Sequence, residues 1–221
     1  MSGKFKYIGG DIAVDFVNTV GGWAFRSANE GQIGYRDVVV SDKFENFADL
    51  LDWGRGAGVI SESDTIRLLS LSKRFPVAAE QVLDRAIRLR RAICRILFAT
   101  DRTRASFTSD LEVLNTELNQ ARDSQRLVPA GTAYEFTWPA EDKLDRVLWS
   151  VAVAAAALLT TGNLGRIRQC GGQDCGWIFL DTSRNRSRAW CTMKDCGNIA
   201  KVRRFRERHD KKSEPRTEKG S

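Results

Sequence analysis

Residues 170–198 read CGGQDCGWIFLDTSRNRSRAWCTMKDCGN, and their four cysteines decide how this end of the chain folds. Cys170 and Cys175 are separated by four residues, fifteen follow, and Cys191 and Cys196 are again four apart. Zinc takes four ligands in a tetrahedron, and two cysteine pairs brought together by a loop supply them. Gly171, Gly172, Gly176 and Gly197 stand beside the ligands, where the chain must turn tightly to aim sulfur inward. Four thiolates fill the metal, so one structural Zn²⁺ per chain is expected, with no open position for catalysis. A thioredoxin-like redox pair would have two residues between its cysteines. Cys94, the fifth cysteine, lies alone on a helical stripe and reads as a small core residue.

The residues between the ligands extend this reading. Trp177 to Leu180 form a short apolar strand, and Asp181 to Arg188 a basic, turn-rich connection to Trp190 and Cys191, which predicts a hairpin arm. After Cys196 the segment NIAKVRRFRER has helical spacing, with Ile199, Val202 and Phe205 on one face and Lys201, Arg204 and Arg208 on another. Four thiolates around Zn²⁺ leave a charge of about −2, which Arg184, Arg186 and Arg188 could balance. The further run Lys201, Arg203, Arg204, Arg206 and Arg208 exceeds that need and suits phosphate contact, so all eight cations are candidate DNA contacts.

Charge placement points the same way. The net charge is +7, yet residues 163–221 alone hold 15 Lys/Arg against 7 Asp/Glu, so all the excess lies at that end. Such asymmetry predicts an anionic partner there, nucleic acid first. A hydrophobic fraction of 42% with 29% charged residues is that of a globular protein. The opening MSGKFKYIGG lacks the apolar run of a signal peptide, which leads us to expect a cytoplasmic protein, where clustered cysteines hold metal. The longest apolar stretch, Val147 to Leu159, contains Ser150 and falls short of the roughly 20 residues that span a membrane. No membrane partner is expected.

The rest of the chain reads as helices. Asp11 to Val20 predicts a short one, with Asp15 and Asn18 on a shared face. These two polar residues are candidates for ligand contact, although in apolar segments such groups are usually satisfied by backbone. Trp23 to Val40 reads as loop, with a short strand at Val38 to Val40. Phe44, Phe47, Leu50 and Leu51 predict a helix capped by Ser41 or Asp42 and broken by Gly54, Gly56 and Gly58. Ser61 and Asp64 form a capping-box start for the next helix, and Pro76 suits the first turn of a long one. In that long helix Leu83, Ile87, Arg90, Cys94 and Leu97 trace a stripe that is apolar except at Arg90. Further helices are predicted at Ser109 to Arg122 and Glu141 to Thr161, with a strand at Tyr134 to Trp138.

The run from Cys170 to Arg208 resembles the CGNR zinc-finger family. GGDIAVDFVNT near the N-terminus and LLDW at Leu50 to Trp53 resemble the ABATE domain that precedes this finger in bacterial, stress-induced transcription regulators. The resemblance implies a mainly α-helical N-terminal domain with a sensing or regulatory role, zinc on the four cysteines, and DNA binding through the finger. One position departs from it. Where the family's motif ends in arginine, this chain reads Cys196-Gly197-Asn198-Ile199, so any contact of that arginine is absent.

The expected organisation is therefore mainly α: a helical domain over 1–162, a small four-cysteine zinc finger of short hairpin plus helix over 163–209, and a disordered basic tail over 210–221. The function expected is a DNA-binding transcription regulator acting on double-stranded DNA, with room for a small-molecule effector and for a homodimer. The alternative is a protein-interaction module that zinc merely staples. An enzyme is not expected, because no nucleophile–base pair, phosphate-cradling glycine loop or open metal site is present.

Overall fold

The computed structural model describes residues 3–27, 35–39, 41–98, 108–139, 142–161, 163–173 and 175–213. Helix α1 (Ile12–Val17) lies at the centre. The Asp11 carboxylate caps it by accepting from the Ala13 N–H at 2.8 Å. Its side chains Ala13, Val14, Phe16 and Val17 are fully buried, because α4 (Pro76–Phe98), α6 (Arg146–Thr160) and a strand of the C-terminal module surround it.

Helix α2 (Phe47–Gly56) starts later than expected. Asn46, not Ser41 or Asp42, is its N-cap, in a reciprocal box with Asp49. Asp42 is engaged elsewhere: it pairs with Arg90, which is 0% exposed and also donates to the Thr19 carbonyl at 3.2 Å. The single polar break in the α4 stripe is thus a buried, paired cation. Gly54 lies inside α2, and the helix ends at Gly56, with Gly58 following at φ +71°, as the run of glycines predicts. At Gly54 a Cβ would lie 3.1 Å from both γ-methyls of Val147, so the glycine lets α6 approach closely.

Helix α3 (Glu62–Arg74) begins with the expected Ser61–Asp64 box. Helix α5 (Thr108–Asp123) is bound to α4 by partly buried ion pairs, Arg85–Glu117 at 2.7 Å and Arg95–Asp110 at 2.6 Å. Residues 23–40, expected as loop, contain β1 (Trp23–Ser27) paired antiparallel with β2 (Tyr35–Val39); Val40, the end of the expected strand, lies outside the described residues. Strand β3 (Arg126–Ala130) was hidden by its Pro129 and pairs with β4 (Ala133–Thr137). The α6 helix starts at Arg146; Glu141, where it was expected to begin, and Gly162, its expected stop, lie outside the described residues.

In the C-terminal module β5 (Ile167–Gln169) pairs antiparallel with β6 (Ile178–Leu180), followed by α7 (Asn198–Ser213). The expected hairpin arm is corrected in its partner: β6 pairs backwards with β5, and residues 181–190 wrap as a loop. Helix α7 runs on to Ser213, into the stretch expected to be disordered from 210; residues 214–221 lie outside the described residues. Ile178 and Phe179 are 0% exposed and join one hydrophobic core with α1, α2, α4 and α6. No helix among the described residues is long and apolar enough to cross a membrane.

Candidate metal centre and nucleic-acid interface

Two tight turns bring the cysteines together. Cys170 leaves β5 and is held by its N–H to the Trp177 carbonyl at 2.7 Å, while Cys175 returns the chain toward β6. Gly176 has φ +58°, and a Cβ there would lie 1.9 Å from the Trp23 carbonyl oxygen, so this turn admits only glycine without movement. Cys191 follows the 181–190 loop, and Cys196 lies in a single π-helical turn, Met193–Gly197, just before α7. The four sulfurs all lie within 4.8 Å of one another, with Cys175–Cys191 and Cys191–Cys196 both at 3.7 Å. Sulfurs about 2.3 Å from a tetrahedral ion stand about 3.8 Å apart, so the cluster fits Zn²⁺ as it is.

The chemistry of the donors agrees. The Cys170 sulfur accepts from the thiols of Cys175 and Cys191 and from the N–H groups of Cys191, at 3.2 Å, and Gly172, at 3.4 Å, which holds its thiol well below the ordinary range. That charge in turn pushes Cys175 and Cys191 up, and burial raises Cys196. Four thiols this close cannot all ionise by themselves; a divalent cation makes all four thiolates favourable.

The finger is built into the helical domain through the outward edge of β6. Asn18 donates from Nδ2 to the Ile178 carbonyl at 2.7 Å and accepts on Oδ1 from the Ile178 N–H at 3.0 Å. Leu180 N–H donates to the Gly9 carbonyl at 2.7 Å, and Trp23 N–H to the Cys175 carbonyl at 3.1 Å. The Trp177 indole donates to the Val20 carbonyl at 2.9 Å and carries the Lys43 ammonium over its ring. At the N-terminal segment, Lys6 pairs with Asp195 at 2.7 Å. Asn18, a candidate for ligand contact, is 2% exposed and holds this joint. Asp15, the other candidate, is partly buried and accepts from Gly9 N–H at 2.7 Å; burial raises its carboxyl to about 6.

The candidate phosphate contacts divide into two groups. Arg188 is turned inward: its guanidinium donates to the Trp190 carbonyl at 2.9 Å, to the carbonyls of Cys191 and Ile8, and stacks 4.3 Å from the Phe179 ring centre. It fastens the metal loop to the N-terminal segment. Asp181, fully buried, accepts from Ser183 and from the Arg188 N–H and so shapes the loop. Arg184 and Arg186 are exposed at its tip. On α7 every side chain from Lys201 to His209 is exposed, and Ile199, Val202 and Phe205 are 69%, 50% and 58% exposed. Arg203 pairs with Glu207 at 3.1 Å and reaches Gln173 at 2.7 Å, and Arg208 donates to the Arg204 carbonyl. Lys201, Arg204 and Arg206 carry no ion pair to a described residue. A groove of about 440 Å³ separates the first turns of α7 from the metal turns, lined by Lys6, Gln173, Trp190, Ile199 and Arg203 among others. Sequence reasoning missed Lys6, which arrives from the far end of the chain and carries no local signal of its place here.

A closed four-cysteine centre on a hairpin and helix, seated on a helical domain, defines a zinc-finger protein of two modules. Residues 166–209 match the model of the CGNR zinc finger, and residues 10–162 match that of the ABATE family, whose description reads "Putative stress-induced transcription regulator". The chain belongs to the ABATE family and ends in a CGNR-type zinc finger. No curated protein matches the chain significantly.

Proposed function

We propose that the protein is a DNA-binding transcription regulator in which the zinc centre roots α7 and the loop tip at Arg184 and Arg186, and these meet the phosphates of duplex DNA. The observation that carries this reading is α7 itself. It is 16 residues long, about 24 Å, rooted at one end in the metal turn, and exposed at every side chain from Lys201 to Arg208, with Arg203 reaching back to Gln173. A solvent-exposed row of cations on α7, with Arg184 and Arg186 exposed on the loop tip, suits a polyanion. The family's description as a regulator supports the same reading. The helical domain takes the regulatory part, because any shift of α1 reaches β6 directly through Asn18.

Titration of labelled duplex DNA across a salt series tests this. If about four phosphates are neutralised, log affinity falls against log salt with a slope of roughly −3.6, and Lys201→Ala makes the slope shallower by about one unit. Binding that ignores salt, or that survives alanine at Lys201, Arg204 and Arg206 together, would replace the regulator with a zinc-stapled interaction module.

A further inference from the structure

Phosphate contact leaves the apolar side of α7 without a role. Ile199, Val202 and Phe205 are all at least half exposed, on a helix that has no packing partner among the described residues beyond its root. At about 100° per residue the three span a sector of roughly 120°, with Lys201 about 40° outside one border and Arg203 about 40° outside the other. Arg206 falls within the sector, near the Ile199 border, as do Asn198 at the start of the helix and His209 one turn beyond Phe205.

We infer that this stripe faces the base edges of the major groove and reads thymine methyl groups, an inference that rests on the DNA-binding reading above. The groove is about 12 Å wide and admits one helix. A helix lying in it directs one side to the floor and its flanks to the two phosphate walls. The α7 pattern, an apolar stripe interrupted by Arg206 and flanked by Lys201 and Arg203, fits that placement. Ile199, Val202 and Phe205 have no hydrogen-bonding group in their side chains, and the one apolar group that the floor presents is the thymine C5 methyl. Arg203 must leave Glu207 and Gln173 to reach a phosphate, and exposed contacts of this kind hold it weakly. A second copy of α7 is a poor occupant, because it would bring like-charged rows together.

The test uses the full zinc-loaded chain and a duplex enriched by the protein itself from a random pool, compared with the same duplex carrying uracil for every thymine. Removal of a contacted methyl should weaken binding about fourfold per methyl, and a Val202→Ala, Phe205→Ala variant should lose that discrimination while keeping the salt slope. Both substitutions lie on an exposed face, so the fold should be retained, which circular dichroism checks. Equal affinity for the thymine and uracil duplexes overturns the inference and leaves DNA binding standing. Failure to enrich any duplex overturns both. Vesicles with about one-third phosphatidylserine form a third arm: capture of the wild type but not of the variant, with no thymine preference, would assign the stripe to a lipid surface and overturn the inference.

Discussion

Asn18 presents one donor and one acceptor much as a peptide group does, and both meet Ile178 across the joint. Removing the amide leaves a buried N–H and a buried C=O unpaired, each costing about 1–3 kcal/mol. Asn18→Ala is therefore expected to destabilise the protein by about 2–4 kcal/mol in urea unfolding at constant zinc; a change below about 0.5 kcal/mol would show that water takes over the amide's role. Asp15 behaves in the opposite sense. Burial raises its pKa to about 6 although Gly9 and Ile8 N–H groups bond it. A carboxyl whose folded pKa lies above its unfolded value contributes stability at low pH and loses it as pH rises through the folded value. Wild-type stability should thus fall relative to Asp15→Asn between about pH 4 and pH 7, and parallel pH profiles for the two proteins would contradict this.

At the scale of elements, the turn at Gly176 sets the distance between finger and helical domain. Gly176→Ala forces an L-residue into φ +58° and drives a methyl into the Trp23 carbonyl. The cost of the backbone alone is about 1–2 kcal/mol, so a lowered melting temperature with weakened zinc retention is expected; an unchanged melting curve would mean that β1 moves aside freely. The elements also show what the sequence could reveal. The cysteine spacing, the Ser61–Asp64 box, Pro76 and the apolar run of α6 are local signals, and each marked its element. Strands β1, β3 and β5 escaped notice because three to five residues are too few to show periodicity, and β3 also contains Pro129. The partner of Asn18 escaped for another reason: it stands 160 residues away, and only the fold brings it near. Arg188 and Arg186 look alike in the sequence, and which one turns inward is decided by Phe179 and the loop around Asp181.

For the molecule as a whole, zinc and the helical core are one system. Ile178 and Phe179 belong to the core that α1, α4 and α6 build, so stripping zinc should loosen more than the finger. Chelation is expected to lower the melting temperature of the full chain as a single transition, and the fragment 1–162 should remain helical by circular dichroism yet melt below the zinc-loaded chain. A fragment that melts at the same temperature as the intact protein would show the joint to contribute nothing.

The apolar seat of β6 also bears on engineering. A finger cut at residue 163 and grafted onto another scaffold would take with it Trp177, Ile178 and Phe179, which are buried here only because α1 and its neighbours cover them. Such a graft is expected to clump or precipitate even when fully metallated, unless its new host offers a matching hollow and an amide where Asn18 stands. Swaps between relatives should accordingly exchange α1 and the finger together.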